Sequence, residues 1–123
     1  MNRIGACGLD LLAVVVFVVI GRANHDEGET VAGLARTLWP FAVGLGVGWG
    51  LAWLARRDFG RIGTGVVVWL ACVGIGIVLR AVAGQGVAAA FVVVALVVLG
   101  LFLLGWRAVD RLSRRLRAHA ARR

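Results

Sequence analysis

Six polar side chains that could do chemistry lie together at residues 21–29, Gly-Arg-Ala-Asn-His-Asp-Glu-Gly-Glu, in an otherwise apolar part of the chain. His25 could serve as a general base, because imidazole accepts a proton near neutral pH. No Ser or Cys nucleophile lies beside it, and Thr30 is the nearest hydroxyl. A metal site is incomplete, because transition-metal sites generally take three or more protein ligands and the second histidine, His119, is far along the chain. We therefore assign no catalytic residue, metal ion or cofactor.

Asp10 is a carboxylate inside an apolar run, about 9 Å along a helix from the start of that run. An acid at such a depth in a membrane is costly unless it is paired or faces water. Arg107, at the end of the last apolar run, is the best candidate partner, and a structural ion pair is the preferred interpretation. A proton or cation ligand is the functional alternative, which the lack of a second membrane carboxylate weakens.

Arg80 is a second charged residue expected to lie within the membrane, four residues before the turn Gly84-Gln85-Gly86. A buried guanidinium favours a bidentate acceptor. Asp26 and its neighbours Glu27 and Glu29 are the acids on its side of the membrane, so we expect them to pair with Arg80 and to pin the first helix to the third. The candidate polar site therefore comprises Asp10, Arg22, Asn24, His25, Asp26, Arg80 and Arg107.

The elements that position these residues follow from the hydropathy of the chain. Of the 123 residues, 61% are hydrophobic and the mean hydropathy is +0.92, more apolar surface than a small soluble domain can bury. Four long apolar runs each approach the roughly 20 residues that cross a bilayer as a helix. The sequence predicts an all-α four-helix transmembrane bundle, running up-down-up-down, with helices at about 4–22, 38–55, 62–82 and 86–107. Residues 1–107 would form one membrane domain.

The arginines predict the orientation of this bundle. The chain has fourteen Arg and no Lys. Eleven lie in the N-terminus, the second-to-third loop and the C-terminal tail, while Arg22, Arg36 and Arg80 lie on the other side. The positive-inside rule then places both termini in the cytoplasm of a multi-pass cell-membrane protein and disfavours an inverted dimer.

The loop after the first helix carries its own helical pattern. Asp26 and Glu29 resemble a capping box, and an apolar stripe follows with Val31, Leu34 and later residues at helical spacing. This predicts a short interfacial helix on the outer face between helices 1 and 2. Thr37 would then cap helix 2.

Glycines and arginines mark two surfaces of the predicted bundle. Small residues let helices approach closely in lipid, and Gly44 with Gly48, and Gly46 with Gly50, form two such pairs in helix 2. The two pairs point in different directions, so tight packing with neighbours on two sides is expected. The tail 108–123 is a basic amphipathic helix, predicted to lie in the cytoplasm on anionic lipid through Arg111, Arg114, Arg115 and Arg117. It has no folded recognition motif for nucleic acid.

Several stretches of the sequence resemble one family. They are DLLAVVVFVVIGRANHDEG, WPFAVGLGVGW, LRAVAGQGVAAAFVVVA and LLGWR, within residues 8–108. The chain resembles short bacterial and archaeal membrane proteins of the domain-of-unknown-function family thirty fifty-four. The resemblance rests on Asp10, Gly21-Arg22, His25, Trp39-Pro40, Gly48-Trp49, Arg80 and Gly105-Trp106-Arg107. It implies a four-helix integral membrane protein, and no activity or ligand.

Three functions are carried forward. The preferred one is a membrane protein of fixed orientation that acts through interaction, with lipids, a second copy or another membrane protein as partner. The alternative is a small homo-oligomeric transporter or channel that uses Asp10 and the outer Arg/His/Asp cluster. The least favoured is a membrane-interface enzyme that uses His25.

Overall fold

The computed structural model describes residues 2–24 and 31–122, which form four α-helices and no strand. The helices are α1 (Arg3–Asn24), α2 (Val31–Leu54), α3 (Ile62–Val82) and α4 (Ala89–Ala121). Each is long and apolar enough to cross a membrane. The predicted class, an all-helical protein with four membrane spans, is confirmed.

The helix ends show where local signals act. Asn2 caps α1, because its Oδ1 accepts a hydrogen bond from the backbone N–H of Gly5 at 2.7 Å. Gly84 and Gly86 take positive φ angles of 74° and 87° in the turn before α4, a conformation that glycine adopts without a steric penalty. The last helix continues without interruption past residue 107. The division into a membrane domain and a tail 108–123 stays a prediction, since one helix crosses it.

The prediction of a separate short helix between helices 1 and 2 was wrong. Residues 31–38 are the first turns of α2, and Thr37 is an interior residue of that helix rather than its cap. The Thr37 hydroxyl donates to the Gly33 carbonyl one turn earlier, at 3.1 Å. Pro40 also lies inside α2 and is buried, a position that membrane helices tolerate when neighbouring groups compensate. The expected capping pair, Asp26 and Glu29, lies outside the described residues.

The four helices pack in a closed ring. The first helix packs against α2 and α4, and α3 packs against the same two helices. Contacts between α1 and α2 run in opposite residue order: Asp10 of α1 bonds to Trp49 of α2, whereas Arg22 bonds to Thr37. Because α1 also packs against α4, the first and last helices of the chain are in direct contact.

The centre of the ring is apolar and contains an aromatic cluster. The rings of Phe17, Phe41 and Phe91 lie with their centroids 5.7 to 6.4 Å apart, distances typical of favourable aromatic pairs. Cys72 is buried in this core, Cys7 is half-buried elsewhere, and both thiols are free. The outward faces are also apolar, with exposed side chains such as Ile4, Leu51, Leu70, Val78, Val97 and Leu101. An apolar exterior around an apolar core is the arrangement of a multi-pass membrane protein.

The two glycine pairs of α2 have different surroundings. A Cβ on Gly44 would lie 2.7 Å from the Cys72 carbonyl oxygen, and one on Gly48 would lie 2.9 Å from the Val68 Cα. Both glycines therefore permit close approach of α3. A Cβ on Gly46 or Gly50 would meet no atom of a described neighbour within 4 Å. Only the first pair is used in packing between the described helices.

Candidate functional site

Asp10 and Arg107 form a bidentate ion pair in the interior of the bundle. Arg107 Nη1 donates to Asp10 Oδ1 at 2.7 Å and Nη2 donates to Oδ2 at 2.8 Å. Both side chains are completely buried, at 0% exposure. Two parallel charge-assisted bonds fix the direction as well as the distance of the partners. The ion pair expected from the sequence is present, and it ties α1 to α4.

Two tryptophans complete the surroundings of the Asp10 carboxylate. Trp106 Nε1 donates to Oδ1 at 2.8 Å, and Trp49 Nε1 donates to Oδ2 at 3.0 Å. Each carboxylate oxygen thus accepts two hydrogen bonds from two different side chains. We name this group of Asp10, Trp49, Trp106 and Arg107 the carboxylate cluster. It joins three helices, because Trp49 belongs to α2.

Arg107 also donates hydrogen bonds to two backbone carbonyls, one in the loop between α2 and α3 and one in α4. Its Nε donates to the Phe59 carbonyl at 2.9 Å, and Nη1 also donates to the Leu103 carbonyl at 2.9 Å. The guanidinium lies 4.4 Å from the centroid of the Trp106 ring, within the range of a cation–π contact. Gly65 of α3 leaves room for this side chain, since a Cβ there would lie 2.7 Å from Arg107 Cδ. One arginine therefore contacts α1, α3 and the loop between α2 and α3.

The hydrogen bonds of the carboxylate cluster are suited to holding helices together. A buried ion pair is costly unless its remaining donors and acceptors are satisfied, and here the carboxylate oxygens each accept twice. A cation or a water molecule that approached Asp10 would have to displace Arg107 or an indole N–H. The geometry therefore argues against Asp10 as an exchanging cation ligand.

Arg80 and Arg22 have partners elsewhere in the bundle. Arg80 donates to Gln85 through Nη1 to Oε1 at 3.3 Å and Nη2 to the carbonyl at 3.4 Å, and its guanidinium lies 4.3 Å from the Phe91 ring centroid. Arg22 Nη1 donates to the Thr37 hydroxyl at 3.0 Å. The contacts to Gln85, Phe91 and Thr37 were not predicted. The glycines on either side of Gln85 indicated a turn, but nothing in the sequence indicated that Gln85 would accept hydrogen bonds from Arg80.

Only part of the predicted polar site can be placed. His25 and Asp26, together with Glu27 and Glu29, lie outside the described residues, and so does the side chain of Asn24. Pairing of Arg80 with these acids stays a prediction. Within residues 2–24 and 31–122, no three His, Cys, Asp or Glu side chains group as metal ligands would.

The predicted lipid-facing arginines lie on the last turns of α4. Arg111, Arg114, Arg115 and Arg117 are all exposed. Arg114 pairs with Asp110 one turn earlier, with Nε 3.2 Å from Oδ2. A cavity of about 520 Å³ opens beside this part of α4 and the start of α3, lined by Arg61, Ile62, Gly63, Asp110, Arg111 and Arg114 among others. The proximity of Arg61 to the arginines of the tail was not predicted from the sequence.

The chain belongs to the family described as Protein of unknown function (DUF3054), whose model matches residues 7–110. The match includes every member of the carboxylate cluster. No curated protein and no solved structure matches the chain. The family predicted from the sequence is confirmed.

Proposed function

We propose that the protein is a cell-membrane protein of fixed orientation that acts by contact with other membrane components, as an accessory subunit or scaffold. Both termini lie in the cytoplasm, and the helices alternate in direction. The excess of arginine at the termini and in the α2–α3 loop supports this orientation. The opposite residue order of contacts between α1 and α2 supports the alternation.

The closed carboxylate cluster carries this proposal. Asp10 is the one fully buried acidic residue among the described residues, and four N–H donors from Arg107, Trp106 and Trp49 occupy its oxygens. Transport or catalysis that used Asp10 would require its carboxylate to exchange these partners for an ion, a proton or a substrate. A protein whose buried polar groups hold its own helices together is better suited to present a rigid surface.

The open glycine pair of α2 indicates where such a surface lies. Gly46 and Gly50 share a face with the exposed Val43 and Val47. These glycines pack against no described helix of this chain. Because they have no side chain, a helix of another protein could approach α2 closely at this face. We place the contact with a partner membrane protein on this face.

Site-specific photo-cross-linking in native membranes tests this placement. A photoreactive amino acid at Val47 should yield covalent adducts with a different membrane protein, identified by mass spectrometry. The same group at Val94, another exposed valine, on α4, is the control. Adducts with lipid or with the chain itself at Val47, and with nothing else, would contradict the proposal.

A flux assay separates the proposal from the transporter or channel alternative. The purified chain in proteoliposomes should carry no ion across a broad panel of cations and anions. A flux that Asp10→Asn or His25→Ala abolishes, while the variant keeps its helical content, would replace the interaction role with transport. The enzyme alternative rests on His25 alone, which lies outside the described residues.

A further inference from the structure

A basic cleft at one end of α3 and α4 lies directly beyond an apolar groove between the same two helices. The cleft, defined by Arg61, Ile62, Arg111 and Arg114, has a volume of about 520 Å³. The groove, defined by Trp69, Gly100, Leu101, Leu104 and Ala108, has a volume of about 610 Å³. We propose that the two together bind one anionic phospholipid, with its phosphate in the basic cleft and an acyl chain in the apolar groove.

The charges of the basic cleft favour an anion. Arg61, Arg111 and Arg114 line it, and Arg57 Nη1 lies 3.5 Å from the Cβ position of Gly63 on its wall. Two acids are also present, but each is already engaged. Asp110 pairs with Arg114, and an Asp58 carboxylate oxygen accepts the Gly60 N–H at 3.0 Å. Four arginines against two aspartates leave a local formal charge of +2.

The backbone at the start of α3 adds to this preference. The first helical residues after Arg61 have no side-chain cap, and the first intrahelical bond runs from Gly65 N to the Arg61 carbonyl. The preceding amide N–H groups therefore lie at the wall of the cleft without helical acceptors. A phosphate oxygen is a suitable acceptor for them.

The alignment of cleft and groove identifies a lipid as the occupant. Ile62 of the cleft and Trp69 of the groove are seven residues apart on α3, as Arg111 and Leu104 are on α4. Seven residues are nearly two helical turns, so each pair shares a helix face with an axial offset of about 10 Å. The cleft thus lies where the apolar spans end, with the groove running from it into the hydrocarbon layer. A phospholipid has this same order of charge and chain.

The shape of the groove explains why an acyl chain suits it. Its floor is Gly100, where a Cβ would lie 3.0 Å from the Trp69 ring. The Trp69 indole N–H is satisfied by the Leu96 carbonyl at 2.9 Å, so the ring presents only carbon to the groove. The exposed Leu101 forms the rim. A polar ligand would find no hydrogen-bond partner there.

The test measures which lipid stays on the full-length protein. The chain is reconstituted in nanodiscs with equal amounts of phosphatidylglycerol and phosphatidylcholine, and native mass spectrometry counts the lipids that remain bound. Wild type should retain phosphatidylglycerol about tenfold or more over phosphatidylcholine, as two uncompensated arginines at a membrane surface imply. The double variant Arg61→Gln/Arg111→Gln should lose most of this preference. Arg115→Gln/Arg117→Gln removes the same charge outside the cleft and should keep it.

A second pair of variants tests the groove without touching the arginines. Ala108→Trp fills the groove and should lower phosphatidylglycerol retention severalfold. Val109→Trp is the control and should not lower it, because Val109 is turned about 100° away from Ala108 around α4 and does not line the groove. An equal loss in the two arginine double variants would overturn the proposal in favour of diffuse attraction to the tail. Displacement of phosphatidylglycerol by excess inorganic phosphate, with no effect of Ala108→Trp, would overturn it in favour of a soluble phosphate.

Discussion

Replacing Asp10 by Asn keeps the size of the side chain and removes the charge that balances Arg107. The amide nitrogen of Asn would face two N–H donors, those of Arg107 and one tryptophan, whichever way the amide is turned. The guanidinium would stay buried without its counter-charge. Breaking one partner of a buried pair costs about 3–5 kcal/mol. This corresponds to a rise of a hundredfold or more in the unfolding equilibrium constant, since each 1.4 kcal/mol is about tenfold.

Equilibrium unfolding in mixed micelles of a mild detergent and sodium dodecyl sulfate measures this loss. Far-UV circular dichroism follows the helices, and tryptophan fluorescence follows Trp49 and Trp106, which contact the substituted carboxylate directly. Asp110→Asn is the matched control, because Asp110 pairs with the half-exposed Arg114 one turn away on the same helix. Partly exposed ion pairs between residues four apart on one helix contribute about 0.5 kcal/mol.

The double variant Asp10→Asn/Arg107→Gln separates the charge from the packing. Without the cation the buried amide has no unbalanced charge beside it, so the double variant should be less destabilised than the sum of the two single ones. Two results would refute the role assigned to the carboxylate cluster. One is an unfolding midpoint for Asp10→Asn that matches Asp110→Asn, and the other is strict additivity in the double variant.

Two further predictions concern packing. Gly44→Ala should destabilise the bundle by about 1–3 kcal/mol, because its Cβ would lie 2.7 Å from a backbone oxygen of α3. Gly46→Ala should be neutral or should stabilise the bundle by up to about 1 kcal/mol, because alanine has the higher helix propensity. The same unfolding titration measures both, and shifts of the same sign would contradict the assignment of faces. In maleimide labelling of the folded protein, the half-buried Cys7 should react well before the buried Cys72, with Cys7→Ala and Cys72→Ala separating the two thiols. Equal labelling rates without unfolding would show that the core around α3 opens.

The pairing of Asp10 with Arg107 could be predicted because the membrane makes isolated charges conspicuous. One acid inside an apolar run needs a cation at the same depth, and the arginine at the end of the last run fits the up-down order that the sequence predicts. The tryptophan donors were not predicted. The sequence does not show on which side of a helix an indole N–H finds its acceptor.

The helix boundaries show a second limit of local signals. Thr37 and Pro40 are typical of a helix start, yet α2 begins at Val31 and passes through both. The Thr37 hydroxyl bonds to its own helix and accepts from Arg22, a contact with α1 that no local pattern encodes. Similarly, the change from apolar to basic residues after Arg107 looked like the end of a span. The backbone continues as one helix because the basic stretch is rich in Ala, Leu and Arg, which are good helix formers, and contains no Gly or Pro.

The basic cleft was missed for a different reason. Arg61 and Arg111 belong to different predicted surfaces, a loop and a tail, and 50 residues separate them. Their proximity depends on the packing of α3 against α4, which Gly65 permits by leaving space for Arg107. Such a meeting of distant residues follows from the fold rather than from spacing in the sequence.

The ion pair also sets a condition on how the protein is made. Asp10 and Arg107 lie 97 residues apart, and ribosomes add about 5–20 residues per second, so the carboxylate is synthesised roughly 5–20 seconds before its cation. Throughout that interval the nascent first helix carries an acid without its designated partner, and only the arrival of the last helix closes the ring. A chain truncated before Ala89 would keep three hydrophobic helices and, among them, a carboxylate without its cation. Quality-control proteases that recognise exposed polar groups in the membrane would have a direct means of distinguishing it from the finished protein.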